Sequence, residues 1–135
     1  MPCEKTACGL PKGTPFAIEN LTVIIEPRVA QTTLTLRFNG TVDTVQVPSD
    51  RGGIDAVLKA IDTLVGRKAP GMARFDSSRV NSATTGTGSD AQVTVRVIDA
   101  KDHVQYGVFE YPDTVIATAQ AYVNVLNEIY SARSA

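Results

Sequence analysis

Residues 91–127, AQVTVRVIDAKDHVQYGVFEYPDTVIATAQAYVNVLN, read as strand, short turn, strand and then a long helix. Apolar and polar side chains alternate through Ala91–Val97, the period of a half-buried strand, and Val104–Glu110 returns after a turn around Asp99-Ala100-Lys101-Asp102. Pro112 suits a first helical turn, where its missing N–H is no loss, and Asp113 favours the positive end of the helix dipole. The helix is predicted to bury Ile116, Ala119, Val123, Leu126 and Tyr130 and to fray at its last residues. An earlier stretch, residues 33–65, TLTLRFNGTVDTVQVPSDRGGIDAVLKAIDTLV, has the same order of elements. Leu34, Leu36 and Phe38 align with Val93, Val95 and Val97 at an offset of 59, and Val45-Gln46 aligns with Val104-Gln105 at the same offset. Ala56 and Ala60 align with Ala117 and Ala121 at an offset of 61. The chain is therefore read as one supersecondary unit used twice.

Working outward, residues 1–16 form an expected flexible N-terminal arm, broken by Pro2, Gly9, Pro11, Gly13 and Pro15. The β-branched LTVII within Phe16–Glu26 reads as a first strand, closed by Pro27. Thr32–Phe38 and Thr41–Val47 flank Asn39-Gly40, a pair that tolerates positive φ and so makes a two-residue hairpin turn. Pro48 is expected to close the second of these strands. Ser49-Asp50 offers side-chain oxygens to cap a helix whose apolar face is Ile54, Val57, Leu58, Ile61, Leu64 and Val65. Gly66 and Pro70 end it. Met72–Val80 holds one more, weakly patterned strand, and Asn81–Asp90, NSATTGTGSD, is loop. The expected fold is α+β, a single domain over 17–132, with one β-β-β-α unit at about 17–66 and a second at about 72–132.

Several function classes are argued against. The net charge is −1 with no run of like charges, so there is no electrostatic footprint for nucleic acid. No apolar stretch approaches the ~20 residues of a membrane span, and no apolar export signal opens the chain, so a cytoplasmic location is expected. Cys3 and Cys8 read as free thiols, and His103 is the only histidine, too few groups for a tetrahedral zinc set. No serine sits in a G-x-S-x-G elbow. Gly86-Thr87-Gly88 lacks the third glycine of a dinucleotide loop, because position 91 is alanine and a strand follows. No metal, cofactor or catalytic set is expected. What remains are two helix starts, Asp50–Ile54 and Tyr111–Thr114, and the glycine-rich loop before Ala91. Helix starts present unpaired N–H groups and suit a carboxylate or phosphate, and Gly52-Gly53 permits close approach to the backbone. The same glycines equally serve to make a turn.

At these helix starts the sequence resembles the C-terminal regulatory domain of 2-isopropylmalate synthase and its relatives, including citramalate synthase. That family shows a G-x-G-P-V-D-A helix start, then D-A-Q at a strand start. It closes with a glycine, a spacer and a D-I-I-x-A-S-x-x-A-Y-x-x-A-L-N helix. The closing element is matched by Gly107, Asp113, Val115-Ile116, Ala117-Thr118, Ala121-Tyr122 and Leu126-Asn127. The triplet is Asp90-Ala91-Gln92, and the first helix start keeps Gly52, Asp55 and Ala56. The resemblance covers roughly residues 21–127. It implies two β-β-β-α units related by a pseudo-two-fold, antiparallel sheets packed with two helices, and a homodimer. It also implies a small-molecule effector, leucine, isoleucine or similar, bound near the dimer interface and inhibiting a separate catalytic barrel.

The implied effector contacts fall in three groups: Asp50, Gly52, Gly53 and Ile54; Ser78, Asn81, Ala83, Asp90 and Ala91; and Pro112 with Asp113. Some positions depart from the family pattern. Asp50 replaces a glycine, Gly53 a proline and Ile54 a valine, and Ser77-Ser78 stands where the family often has D-Y. An anion at Asp50 would repel an amino-acid carboxylate or pair with its ammonium group. Asn81, Ser82 and Thr84 make the loop region polar. A barrel of ~250 residues does not fit in 135 residues, so the chain is expected to be an excised or a free-standing regulatory domain. Three functions compete: a non-catalytic effector sensor; an assembly module of the same fold that has lost its ligand and acts through a protein partner; and a small enzyme using Asp50, Asp90 or His103.

Overall fold

Asn39 and Gly40 both take positive φ, 48° and 90°, the geometry that matches a tight turn to the twist of two antiparallel strands. Across that turn β2 (Ala30–Phe38) pairs with β3 (Thr41–Ser49), and on its other side β2 pairs with β1 (Phe16–Ile25). Pro48 does not end β3: it lies opposite Gln31 with Ser49 still paired beyond it. The sheet order β1-β2-β3 makes β3 an edge strand, where a missing N–H is tolerated. Helix α1 (Gly53–Lys68) follows. The computed structural model describes residues 15–82 and 91–134. Its second half repeats the plan with β4 (Ala73–Ser82), β5 (Ala91–Asp99), β6 (Val104–Tyr111) and α2 (Thr114–Ser134), in a separate antiparallel sheet ordered β4-β5-β6. The weakly patterned strand is thus β4, and the architecture is the expected α+β pair of β-β-β-α units. Cys3 and Cys8 lie outside the described residues, and Phe16, the end of the expected arm, is already the buried first residue of β1.

The repeat is real, but its strand register differs from the one the alternation suggests. Each first strand carries one bulge, between Ile18 and Asn20 opposite Leu36 and Thr35, and between Phe75 and Ser77 opposite Val97 and Arg96. Leu36 therefore corresponds to Val97, Leu34 to Val95 and Thr32 to Val93, an offset of 61 rather than 59. The helices already showed that offset. By the same pairing Val45 corresponds to Gly107, not to Val104. Both bulge residues are acidic and pair with an arginine of the neighbouring strand: Glu19 with Arg37 at 2.5 Å, and Asp76 with Arg96 at 3.4 Å.

The inner faces of the sheets, with Leu34 and Leu36 on one and Val93, Val95 and Val97 on the other, meet a layer of two helices. Helix α1 packs on β2 and β3, and α2 on β5 and β6, on α1 and on β1. Contact on several sides explains why α2 buries more than the predicted stripe: Ala117, Ala121, Tyr122 and Val125 are buried along with Ala119, Val123 and Leu126. The Tyr122 hydroxyl donates to the Asp62 carboxylate of α1. Two expected core positions are not covered: Ile54 and Ile116, each in the first turn of its helix, are both 36% exposed. At the other end α2 ties the units together. Asn127 accepts the Phe16 N–H at 2.7 Å and donates to the Phe16 carbonyl at 2.8 Å.

Both helices finish at the hairpin-turn end of the sheets. Lys68, ending α1, lies 5.9 Å from the Phe38 ring centre, and Tyr130 of α2 meets the same ring at 5.5 Å. Ile129 and Ala132 of α2 wall a cavity with the β5–β6 turn. Both helix starts therefore share the opposite end, with the β1–β2 connection, the end of β4 and the start of β5.

Two substitutions test this packing. A Cβ on Gly107 would lie 2.1 Å from the Ala121 carbonyl oxygen and 3.0 Å from Val125 Cβ. Gly107→Ala must push α2 off its sheet, and a loss of about 3 kcal/mol in urea unfolding is expected, at the upper end of overpacking costs. Thr32 is fully buried and its hydroxyl has no partner among the described residues, whereas the matching position in the second unit is Val93. Thr32→Val is expected to raise stability by about 1 kcal/mol in the same assay, since an unsatisfied buried hydroxyl is removed.

Candidate functional site

The start of α1 is built around a buried serine. The Ser49 hydroxyl accepts the Arg51 N–H at 3.0 Å and donates to Asp55 at 2.5 Å. That hydrogen bond, supported by Lys59 at 3.2 Å, holds the Asp55 carboxyl below its ordinary range. Ser49 thus closes the turn before the helix and does not cap the helix itself. The N-cap is Gly52, at φ 107° and ψ 175°, a conformation only glycine adopts readily, and no side chain among the described residues caps this helix. The first backbone acceptor in the helix is the Gly52 carbonyl, which takes the Ala56 N–H at 3.1 Å. The first N–H groups of the helix have no partner within it and carry the positive end of its dipole. Gly53 sits close to β1: a Cβ there would be 3.0 Å from Ile25 Cδ1 and 3.3 Å from Val23 Cγ1. Asp50 is exposed.

The start of α2 is chemically different. Asp113 is not inside the first turn but caps it, accepting the N–H groups of Val115 at 2.8 Å and Ile116 at 3.2 Å. Its backbone carbonyl takes the Ala117 N–H at 2.9 Å, and Pro112 precedes the helix. This helix start is therefore capped by its own carboxylate, whereas the first-turn carboxylate of α1, Asp55, is bonded to Ser49 and Lys59.

The other expected residues are only partly brought together. Ala91 lies between Ser82 and Tyr111, and Asn81 opposite Gln92, all at the helix-start end. Ser78 lies further along β4, opposite Val95, and is exposed because no helix covers that part of the inner face. Ala83, Thr84, Asp90 and the Gly86–Gly88 stretch lie outside the described residues. His103 is at the turn end, opposite Asp50, so those two do not form one catalytic centre. No group of three or more His, Cys, Asp or Glu among the described residues is placed to hold a metal ion. No described helix is long and apolar enough to cross a membrane.

This end also carries an exposed apolar rim. Ile25 is 67% exposed, and Val80 and Tyr111 are also exposed, alongside Ile54 and Ile116. Two helices cannot cover six strands, and the ends of β1 and β4 protrude past them. The apolar rim is hidden in sequence because alternation places Ile25 and Val80 on the inner face, where burial would be assumed.

Removing the internal cap gives a direct test. Asp113→Ala is expected to cost about 1 kcal/mol of stability in thermal unfolding. Ser49→Ala should leave the thermal stability contributed by the α1 N–H groups unchanged, apart from the loss of its own turn and the Asp55 bond.

Comparison with known proteins matches residues 5–130 to the LeuA allosteric (dimerisation) domain. The chain is 36% identical over 98 residues to a 2-isopropylmalate synthase of Caulobacter vibrioides, covering 73% of this chain and 18% of that protein. It is 34% identical over 112 residues to that of a Caulobacter species, covering 83% and 20%. Against the Burkholderia pseudomallei enzyme it is 40% identical over 83 residues, covering 62% and 15%. The chain thus spans a fifth or less of the length of these relatives.

Proposed function

Because the chain belongs to the LeuA allosteric (dimerisation) domain family, we propose that it is a non-catalytic sensor that dimerises with a second copy of itself and binds a branched-chain amino acid at the helix-start end. The observation that carries this reading is the contrast between the two helix starts. Among the described residues α1 has no side-chain cap while α2 is capped by Asp113, which supports placing a ligand carboxylate at α1. Asp50, just before it, pairs with the ammonium group. The protruding apolar rim of Ile25, Ile54, Val80, Tyr111 and Ile116 supplies the contact for an aliphatic side chain and for the partner copy. Asn81, Ala91 and Pro112 border the same end and Ser78 lies further along β4; Ala83 and Asp90 are assigned to it from the family pattern. The output is control of a catalytic domain, in the same or a separate polypeptide.

A second reading keeps the dimer and drops the ligand. It is favoured by Ser78, which leaves a polar, open position where an apolar pocket would want a wall.

Thermal unfolding with leucine, isoleucine and valine separates the two. A ligand at ~100-fold its dissociation constant adds ~2.7 kcal/mol, roughly a 10 °C rise in midpoint for a domain of this size. The sensor reading expects that rise with one branched-chain amino acid, none with glycine, and its loss in Gly52→Val. A flat response across the panel, with a dimer mass by light scattering, would leave the assembly module.

A further inference from the structure

The turn ends of the two units share a backbone plan but not a filling. In unit one the Asn39 N–H donates to the Pro15 carbonyl at 3.1 Å; in unit two the Ala100 N–H donates to that of Met72 at 3.0 Å. Unit one is closed by rings: Phe38 lies 4.8 Å from Phe16 and 5.5 Å from Tyr130, with Lys68 at 5.9 Å from the Phe38 centre. At the repeat offset, Asp99 stands where Phe38 is and Ile129 where Lys68 is. The β5–β6 turn is also longer than Asn39-Gly40, and α2 continues past Ile129 to Ser134, whereas α1 stops at Lys68. These changes leave a half-open cavity of about 440 Å³ among Met72, Asp99, Lys101, His103, Gln105 and Ile129. That volume falls within the range of small-molecule pockets, about 300–1,000 Å³.

The walls select the chemistry of an occupant. Met72 and Ile129 are buried and apolar. The Asp99 carboxylate is spent on its own turn: it accepts the N–H groups of Lys101 and His103, each at 2.9 Å, and the Gln105 side-chain amide at 3.3 Å. The His103 Nδ1 lies 3.9 Å from it, with the ring largely exposed. Lys101 has no ion-pair partner among the described residues. The mouth therefore offers an ammonium and an imidazole, while its one carboxylate already accepts three hydrogen bonds from its own turn. A cation entering there would meet the Lys101 ammonium. We propose that this cavity is a second small-molecule site, taking a short-chain carboxylate whose alkyl part lies on Met72 and Ile129 and whose anionic head is held by Lys101 and His103. It lies at the opposite end of the domain from the helix starts, so it stands or falls independently of the effector reading.

The chain carries its own probes. His103 is its only histidine, and Met72 is its only methionine besides Met1. Hexanoate is titrated into the full chain at fixed pH while the His103 ring protons, the Met72 methyl and the backbone amides are followed by NMR, with hexylammonium as control. The expected result is a saturable shift of both probes with hexanoate, little movement of the Ile54 and Asp113 amides, and about tenfold weaker binding in Lys101→Glu, the loss of one charge-assisted contact. Lys101 is an exposed turn residue, so that variant keeps its fold. The proposal is overturned if the Met72 methyl does not move, if hexylammonium moves both probes equally, if Lys101→Glu binds unchanged, or if the shifts appear at Ile54 and Asp113 instead.

Discussion

The arrangement depends on how closely α2 lies on β6. At Gly107 the strand offers no side chain, and the helix backbone at Ala121 occupies the place where a Cβ would stand. The small residues Ala117 and Ala121, both fully buried, let this approach extend along the helix. Close seating on β6 leaves the other sides of α2 free to meet α1 and β1. From that follow the Tyr122–Asp62 bond between the helices and the Asn127 bridge to Phe16. In unit one the matching position is Val45, so a side chain stands beneath α1 where unit two has bare backbone. One glycine thus makes α2 the central helix of the domain and α1 the peripheral one.

The repeat was legible in the sequence and its register was not, for a physical reason. Side chains on a strand alternate with a period of two, so a slip of two residues keeps every apolar residue on its face. Offsets of 59 and 61 both keep Leu34, Leu36 and Phe38 on one face, and 59 reads as the better match because 61 sets Phe38 against Asp99. What separates them is the bulge opposite Leu36 and Val97, and the different lengths of the connections 26–29 and 83–90. A bulge adds one residue without marking it in the hydrophobic pattern. The helices carried the correct offset from the beginning because Ala56, Ala60, Ala117 and Ala121 are fixed by close packing and not by alternation alone.

At the candidate site, residue types were easier to read than their roles. Both helix starts were visible from Gly52-Gly53 and Pro112-Asp113, but which one keeps its N–H groups open was not. Ser, Asp and Gly all serve near helix starts, and their roles depend on backbone angles that spacing does not fix. Ser49 reads as a cap, yet in the fold its hydroxyl turns to Arg51 and Asp55, and the cap passes to Gly52. Asp113 reads as a residue of the first turn, yet it stands one place earlier and closes α2 with its own carboxylate. The exposed rim escaped the reading because the pattern reports which face a residue takes, not whether a helix reaches far enough to cover it.

These differences share a direction. A duplicated unit begins with two equal helix starts and two equal turn ends, and any ligand that fits one fits the other. Here each pair has diverged in opposite senses. At the helix-start end unit two is closed by Asp113 and unit one is open at Gly52; at the turn end unit one is closed by Phe16, Phe38 and Tyr130 and unit two is open beside Asp99. The smaller features follow the same logic. Asn127 fills the space beside Phe16, while its counterpart Gly66 faces a small cavity of about 90 Å³ beside Ala73. Closing a site with the chain's own groups removes the entropy cost of ordering a ligand there, so each closure adds stability at one copy of a position. The other copy is then released from that role. Divergence of a repeat in this way leaves, among the described residues, an uncapped helix start at one end and a cavity at the other.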